Sequence, residues 1–538
     1  MGPSVLIAGA GPSGLVLALI LLQNGVSVRI INNELKHRIG SRGAGIQART
    51  LELYEILGIF PDIRKAGEPV KSEGKPFSMA VYNPGKTEPT KLLPSNYVAP
   101  TPDTPHTYGL TLSQERHEEI LREYLKDLSC TVELGCELRD FEQFTDHVVA
   151  HLVKTDADGQ QQEERTKFDW LVGTDGAHSM VRKQLGLSFL GETRTEQNMA
   201  LGDIVIENLD NKIWHTWNVP PKLIMLRANH STSQVFTYVY TGRAGEKPLT
   251  REEFIEEFYA LTGRRDLTFG ENTWMSNYRP NVRMVDRMRD GRVFIAGDAA
   301  HCHTPSGAQG LNSSIQDAVN LGWKLAIVAK GLAPEALLDT YSEERIRVIA
   351  HMLQVTTKMH DKTWVHVPGA PADDESRWKR SPDLSMLGVN YCGSSIVLEG
   401  KDKGKAAAES NAYATAEGGR VQAAYRAPDA PGLVSVDDAQ MTNLFSVFRA
   451  TVHTVLVFGG DAAGRALVAD VLGRLPKDTV QRWSSFATVL EDRAGHAYGG
   501  YGVEAGELTV VVVRPDGVIG AVVFEAEGVE AYFQRIFG

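Results

Sequence analysis

Cysteines and long apolar runs are scarce in this sequence. No pair of cysteines forms a CxxC motif or a zinc-type cluster, so disulfide scaffolds and zinc modules are excluded and we expect reduced thiols. Residues 15–22 are apolar but follow no basic segment, and no run of about 18 apolar residues occurs. We therefore expect no membrane span and a cytoplasmic location. The four cysteines are Cys130, Cys136, Cys302 and Cys392.

Basic residues are also fewer than acidic residues. The 56 Lys and Arg residues are outnumbered by 67 Asp and Glu residues, which gives a net charge of -11 at pH 7. Nucleic-acid binding relies on a basic surface that releases counterions from phosphates, so we expect no nucleic-acid partner. A hydrophobic fraction of 42% is typical of an ordinary globular protein. At about 150 residues per domain, the length of 538 residues predicts roughly three domains.

A strand, a glycine-rich turn and a helix open the chain. Residues 3–8 are predicted to form a buried strand, an apolar helix ends before Gly25, and residues 26–31 supply a second strand. In this setting glycines permit a tight turn and a close approach of the backbone to a pyrophosphate, which the helix N-terminus attracts. The pattern therefore predicts a dinucleotide site. The turn contains Gly9, Gly11, Pro12, Ser13 and Gly14.

The end of the second strand departs from the usual pattern. An acidic residue normally holds the ribose hydroxyls there, whereas this chain has Asn32 and Asn33. The amide oxygen of an asparagine can still accept a hydrogen bond from the ribose. Without a carboxylate, however, a cofactor that carries a 2'-phosphate would meet no charge repulsion at this position. From this motif alone, FAD and NADP both remain open.

Two later blocks favour FAD. Residues 169–182 carry Asp175-Gly176 and Arg182, and residues 292–312 carry Gly297-Asp298 followed by a glycine-rich loop that leads into a helix. Together with the first motif, and in this order, these blocks resemble the group A flavoprotein aromatic hydroxylases, such as para-hydroxybenzoate hydroxylase and phenol hydroxylase. The resemblance runs nearly from end to end.

The resemblance implies an α/β fold with three units. These are a Rossmann-like FAD-binding domain (1–75, 111–188 and 280–370), an inserted β-sheet substrate domain (76–110 and 189–279), and a thioredoxin-like domain (427–538) after a connector (371–426). A linker rich in Ala, Gly and Lys is predicted at 401–416. The last domain contains no cysteine and so cannot exchange dithiols. We expect it to serve structure or the formation of a homodimer.

The resemblance also assigns roles to individual residues. Asp298 is expected to bond the ribityl chain, residues 305–312 to line the isoalloxazine, and the middle block to serve the FAD phosphates and a nicotinamide cofactor that visits without its own domain. A metal at His301-Cys302-His303 is not expected, because no further ligand is spaced nearby. The expected cofactor-binding residues are Gly9, Gly11, Pro12, Ser13, Gly14, Asn32, Arg42, Gln47, Gln114, Asp175, Gly176, Arg182, Asp298, Pro305, Gly310, Leu311 and Asn312, and the expected catalytic residues are Pro305, Arg42 and Tyr240.

Alternating polar and apolar residues at 233–240 predict strands in the inserted domain. In the family this sheet covers the flavin, and the substrate lies between the two. Aromatic residues in strands more often pack in a core than meet ligands. The candidates for the pocket wall are Trp214, Trp217, Tyr238 and Tyr240.

The predicted activity is FAD-dependent hydroxylation of a phenolic or aromatic-acid substrate. The resemblance implies hydride transfer from NADPH or NADH, dioxygen as co-substrate, and oxygen transfer through a flavin C4a-hydroperoxide. Three alternatives stay open at this point: oxidative decarboxylation of a para-hydroxybenzoate-type acid to a hydroquinone, a non-oxygenating flavin reductase of quinones or double bonds, and a flavin-free binding protein.

Overall fold

A computed structural model describes residues 4–70, 78–94, 98–194, 197–242, 249–364, 378, 381–400, 411–415, 421–476, 479–481, 489–504 and 506–538. The predicted linker at 401–416 lies outside these residues except for 411–415. Within the described ranges, none of the helices combines the length and the apolar character needed to cross a membrane.

A six-stranded sheet forms the centre of the first unit. Its strands run in the order Arg289–Asp290, Val293–Ile295, Trp170–Gly173, Ser4–Ala8, Ser27–Asn32 and Glu133–Leu134. All neighbours are parallel except the first pair, which is antiparallel. Parallel strands end at one edge of a sheet, so the loops after Ala8, Gly173 and Ile295 converge there.

The apolar helix Pro12–Gln23 packs against this sheet and against a second, longer helix. Pro12–Gln23 is apolar nearly all around, as expected for a helix buried on every side. It contacts Gly310–Ala329 along its length, and Gly322 of the second helix lies directly against Ile20. The packing carries the first motif and the later glycine-rich loop on neighbouring helix ends.

A seven-stranded sheet stands beside this unit. Every neighbouring pair is antiparallel except Trp214–Val219 with Ser78–Tyr82. The helix Arg251–Thr262 covers one face, and it begins with a capping box in which Thr250 and Glu253 satisfy each other's backbone N–H groups. The strand order is Thr268–Tyr278, Met199–Glu207, Val235–Thr241, Lys222–Ala228, Trp214–Val219, Ser78–Tyr82 and Lys91–Pro94.

The C-terminal unit is built on a five-stranded sheet whose central strands are almost entirely valine, isoleucine and alanine. Both faces of Thr509–Val513 and Ile519–Val523 are buried, and β-branched residues suit such a position. The helices Ala462–Arg474 and Ala526–Phe537 pack against each other beside it. The strand order is Leu398–Glu399, Ile519–Val523, Thr509–Val513, His453–Phe458 and Val480–Gln481.

Buried ion pairs join the C-terminal unit to the first. The carboxylate of Glu344 accepts hydrogen bonds from Arg514 (2.6 Å) and from Lys324 (2.7 Å), and all three side chains are fully buried. These neighbouring cations hold the pKa of Glu344 well below its usual range despite its burial. Removing one partner of such a buried pair leaves an uncompensated charge. The C-terminal unit is therefore an integral part of the molecule.

The remaining elements are short or peripheral. Smaller sheets are formed by Cys136–Gln143, Val148–Thr155 and Gln161–Phe168; by Leu190–Thr193, Asn281–Met284 and His301–Cys302; by Gly45–Ile46, Leu110–Thr111 and Glu68–Pro69; and by Met441–Asn443, Pro431–Ser435 and Leu490–Asp492. The other α-helices are Ala48–Leu57, Phe60–Ala66, Gln114–Asp127, Met180–Gln184, Thr340–Trp364, Leu444–Val447 and His496–Tyr501.

Candidate active site

A cavity of about 2390 Å³ lies between the converging loops of the six-stranded sheet and one face of the seven-stranded sheet. Pockets for small molecules usually measure about 300–1,000 Å³, so this one has room for a dinucleotide together with a second ligand. Residues from every sequence block singled out above line it.

The first glycine-rich turn forms one end of the cavity. Gly9 has a φ of 113°, and a Cβ there would collide with the carbonyl group of Thr174, so only glycine fits. A Cβ on Gly14 would collide with the carbonyl of Gly9, whereas a Cβ on Gly11 would meet nothing within 4 Å. The helix Pro12–Gln23 has no side-chain cap, so its free N–H groups suit the phosphates of a cofactor.

The middle block lies beside this turn. Asp175 and Gly176 line the cavity, as does Asn32 from the neighbouring strand. One carboxylate oxygen of Asp175 accepts a hydrogen bond from the backbone N–H of Met180 (2.7 Å). The other carboxylate oxygen is buried without a partner in the described part of the chain. A buried acceptor without a partner is costly, and a polar ligand group in the cavity would satisfy it.

Arg182 has a different place from the predicted one. Its side chain is not part of the cavity lining. It donates hydrogen bonds to the backbone carbonyls of Ala177 and Ala299, each at 2.9 Å, and its guanidinium lies 3.8 Å from the ring centre of Phe189. Arg182 therefore ties the middle block to the Gly297-Asp298 turn and does not line the cavity.

Asp298 occupies the turn at the end of its strand. Gly297, with a φ of 63°, makes the turn, and the Asp298 side chain is exposed to the cavity although it lies deep in the protein, where burial raises its pKa. Behind it, the buried carboxylate of Asp317 accepts hydrogen bonds from the backbone N–H of Gly297 (3.1 Å), from His301 (2.6 Å) and from Arg345 (2.7 Å). This network fixes the turn that presents Asp298.

The glycine-rich loop at 305–312, called here the flavin loop, forms the floor of the cavity's centre. Pro305, Gly310 and Leu311 line the cavity, and the helix that begins at Gly310 has no side-chain cap. Asn312 does not line it. Its side chain accepts from the backbone N–H of Gln47 (2.8 Å) and donates to the carbonyl of Gly45 (2.8 Å), which locks the two loops together.

Three further predicted residues line the cavity, and one of them contacts this loop. The side chain of Gln47 donates to the carbonyl of Gly307 at 2.9 Å. Arg42 has a φ of 38° and places its guanidinium 5.2 Å from the ring centre of Trp274. Gln114 accepts a hydrogen bond from the backbone N–H of Gly43 at 3.2 Å. Free helix N-termini, an exposed carboxylate and this volume fit the groups of FAD.

The seven-stranded sheet turns only one of the four predicted aromatic residues to the cavity. Trp214 lines it, whereas Trp217, Tyr238 and Tyr240 are fully buried on the opposite face. The hydroxyl of Tyr240 donates to Glu257 at 2.8 Å. Tyr240 therefore does not face the cavity, where it was expected to be catalytic. Because side chains alternate along a strand, its neighbour Val239 faces the cavity instead.

Sequence reasoning missed the residues that form this cavity face. These residues alternate along the strands with the aromatic residues of the opposite, fully buried face, called here the core face. The two-residue periodicity alone therefore does not show which face meets the cavity. The helix Arg251–Thr262, whose Phe254 and Phe258 are buried against the aromatic face, could have indicated which face is internal. The cavity face includes Leu201, Met225, Arg227, Thr237, Val239, Trp274 and Ser276.

His301, Cys302 and His303, where no metal is expected from the sequence, each form a hydrogen bond with another group of the chain. His301 bonds Asp317, Cys302 bonds the carbonyl of Asp298 (3.5 Å), and His303 bonds the carbonyl of Thr304 (2.5 Å). No cluster of three potential metal ligands occurs in the described ranges. Burial lowers the pKa of His303 to about 4, so this side chain is neutral at pH 7.

Comparisons with known proteins agree with this geometry. Residues 3–356 match the family described as FAD binding domain, and residues 471–538 match the phenol hydroxylase C-terminal dimerisation domain. A flavin-dependent monooxygenase of Mycobacteroides abscessus is 33% identical, with 99% of this chain and all of that protein covered. Pentachlorophenol 4-monooxygenase of Sphingobium chlorophenolicum is 32% identical over 72% of this chain and 71% of its own length.

A solved structure shows the same fold throughout. The ternary complex of aklavinone-11 hydroxylase with FAD and aklavinone superposes with a TM-score of 0.78 at 23% identity, and 99% of each chain is covered. The mixed α/β architecture and the FAD-binding fold predicted from the sequence are thus confirmed.

Proposed function

Because the chain belongs to the family of FAD-binding, flavin-dependent aromatic monooxygenases, we propose that it hydroxylates a phenolic or aromatic-acid ring, with NADPH or NADH as reductant and dioxygen as oxidant. The observation that supports this most is the shared cavity. Its wall combines the Gly9–Ser13 turn, the flavin loop and one face of the seven-stranded sheet, so one space can hold both cofactor and substrate.

When bound, FAD supplies the capacity to accept hydride and to activate dioxygen. The residues of the chain supply the surroundings. The uncapped N-terminus of Gly310–Ala329 offers N–H groups and the positive end of a helix dipole, which stabilise negative charge on a reduced isoalloxazine. The turn at Gly297 aims the Asp298 carboxylate into the cavity, where it would accept a hydrogen bond from a ribityl hydroxyl.

The sheet face would keep water from the reacting atoms. Leu201, Met225 and Val239 present apolar side chains to the cavity, and the exclusion of water limits loss of the activated oxygen to side reactions. Trp214 adds a flat aromatic surface suited to an aromatic ring. We infer that the ring lies between this face and the flavin loop.

Two copies are inferred to associate. The match of residues 471–538 to the phenol hydroxylase dimerisation domain supports a homodimer. Sedimentation equilibrium of the purified chain should give about twice the chain mass of 59.0 kDa, whereas a concentration-independent monomer would contradict this part of the proposal.

The main test is spectroscopic and isotopic. The purified chain should show the absorption bands of bound FAD, and a phenolic substrate should accelerate its NADPH oxidation, with one atom of ¹⁸O₂ appearing in the product. NADPH oxidation by a double bond or quinone without oxygen consumption would indicate a reductase instead. Protein that purifies colourless and does not take up FAD would reject the proposal.

A pair of glycine variants separates cofactor loss from misfolding. A Cβ at Gly11 or at Gly473 would meet nothing within 4 Å, so at either position a larger side chain starts in open space. Gly11→Val should lose most bound FAD, because the side chain would occupy the place of a phosphate, and Gly473→Val should retain it. Equal flavin content in the two variants would contradict the assignment of this turn.

A further inference from the structure

Arg227 is a positively charged side chain on the cavity face of the seven-stranded sheet. It lies in Lys222–Ala228, opposite Trp214 on one neighbouring strand and Thr237 on the other. All three side chains line the cavity. The Arg227 side chain is half-buried, so the part that reaches solvent does so through the cavity.

In the part of the chain that the structure describes, no group neutralises this guanidinium by direct contact. Among the described residues, Arg227 takes part in no hydrogen bond and no ion pair through its side chain, and its close neighbour is the Trp214 ring, 5.5 Å away. Burial lowers the pKa of Arg227 to about 10, which still leaves the side chain cationic at neutral pH. A half-buried cation without a partner in the chain can be paired by a negatively charged group that enters the cavity.

Asp203 is the nearest acid that attracts Arg227, yet it is already engaged. One of its carboxylate oxygens accepts from the backbone N–H of Ser41 at 2.6 Å, and the other accepts from the hydroxyl of Thr237 at 2.7 Å. Asp203 therefore fixes the loop before Arg42 and acts on Arg227 only at longer range. The N–H donors of Arg227 remain available to a ligand.

The guanidinium carbon of Arg227 lies over the Trp214 ring, 5.5 Å from its centre, so one side of the group faces the ring. The N–H groups of a guanidinium lie in its own plane. That planar fork matches the two oxygens of a carboxylate, or a single phenolate oxygen. Other arginines of the same cavity have contacts within the chain: Arg38 pairs with Glu34, and Arg42 donates to the carbonyl of Ile39.

We propose that Arg227 is the subsite for a negatively charged oxygen of the aromatic substrate, carried either as a carboxylate or as a phenolate. The inference rests on the proposed function, because it places the substrate ring in this cavity. An ionic contact at this site would select aromatic anions over neutral rings of the same shape and would fix which edge of the ring faces the sheet.

The test uses FAD-loaded protein and two matched pairs of probes, followed by perturbation of the flavin spectrum without turnover. The first pair is 2-naphthoate and its methyl ester, and the second is 4-nitrophenolate and 4-nitroanisole. The parent protein should bind the anion of at least one pair about tenfold more tightly than its neutral partner, as expected for charge-assisted hydrogen bonds. The pair that shows the preference identifies the source of the charge.

Variants assign the preference to the residue. Arg227→Met should abolish the preference with the ester or ether binding as before, and Arg227→Lys should reduce it, since lysine keeps the charge but loses the fork. Arg265→Met is the matched control. Arg265 also lies over an aromatic ring, 5.0 Å from the centre of Tyr259, but it does not line the cavity, so its loss should leave the preference intact.

Two results would overturn the inference: a parent protein that shows no preference for either anion, or a preference that persists in Arg227→Met. If Arg227→Met fails to fold, Arg227→Lys decides: a preference as large as that of the parent protein would overturn the inference, and a smaller one would support it. The readout is independent of the activity. A yellow protein that binds anions but never oxygenates a ring would reject the proposed function alone, whereas a yellow oxygenase without the preference would reject this subsite alone.

Discussion

The two faces of the seven-stranded sheet are made by alternating residues of the same strands, yet they have opposite surroundings. On one face, Trp217, Tyr238 and Tyr240 are fully buried against the helix Arg251–Thr262. On the other, Trp214 and Val239 meet a cavity. The comparison teaches that residue type does not reveal function in this sheet. Aromatic residues dominate the core face, and the cavity face is mixed.

The largest expected effect on the free energy of unfolding comes from one of two tryptophans on the same strand. Trp217 is 0% exposed and stacks on Tyr82 with ring centres 4.8 Å apart. Trp217→Ala should lower the free energy of unfolding by about 3–5 kcal/mol, because it removes a large buried ring and leaves a cavity. Trp214→Ala should cost about 1 kcal/mol or less while it weakens the binding of aromatic probes. Denaturant titration of both variants measures their free energies of unfolding, and equal losses in the two variants would contradict this difference between the faces.

Acid should also destabilise the core face more than the cavity face. His215 is buried there between the hydroxyl of Tyr82 (2.8 Å) and the carbonyl of Asp210 (2.6 Å), and burial lowers its pKa from 6.5 to about 4. As the pH falls through this window, the unfolded chain takes up a proton that the folded chain does not. The free energy of unfolding should therefore fall by about 2–3 kcal/mol between pH 6.5 and 4 from this residue.

His215→Gln is the variant that isolates this contribution. Its unfolding free energy should depend on pH less steeply than that of the parent between pH 6.5 and 4, by the amount just given. From pH 7 to 9 the two curves should run parallel, because His215 is neutral in both states there. Identical slopes in the acid window would contradict the assignment.

The smallest effect on stability distinguishes two adjacent residues. Tyr240→Phe removes one hydrogen bond to Glu257 and should cost about 1–2 kcal/mol with unchanged turnover. Val239→Phe adds a ring on the cavity side and should hardly change stability while it impairs substrate binding. Steady-state kinetics with unfolding curves for both variants provide the measurement. A loss of turnover in Tyr240→Phe would instead support a role for Tyr240 at the reacting centre.

The FAD-binding fold was predictable from the sequence because its signals are local. Gly9, Gly11 and Gly14 lie within one turn of the sequence, and Asp298 follows the end of a buried strand by three residues. Arg182 was harder to place. Its carbonyl partner at Ala299 lies 117 positions further along the chain, so its conspicuous position within a motif did not reveal that it acts on backbone.

Contacts between distant segments could not be read from the sequence. The pairing of Arg514 with Glu344 spans 170 positions, and no periodicity connects the two residues. The choice between Val239 and Tyr240 likewise depends on which face the helix Arg251–Thr262 covers. Arg227 gave no signal at all, because its significance lies in the absence of a partner, which only the assembled sheet reveals.

A crystal structure of the chain with FAD and an aromatic anion bound would test the central claim most directly. We predict that the isoalloxazine lies on the flavin loop at Pro305–Leu311, with the aromatic ring between it and the face that carries Val239 and Arg227. An isoalloxazine bound elsewhere, or an aromatic ring held on the side of Tyr240, would contradict the account.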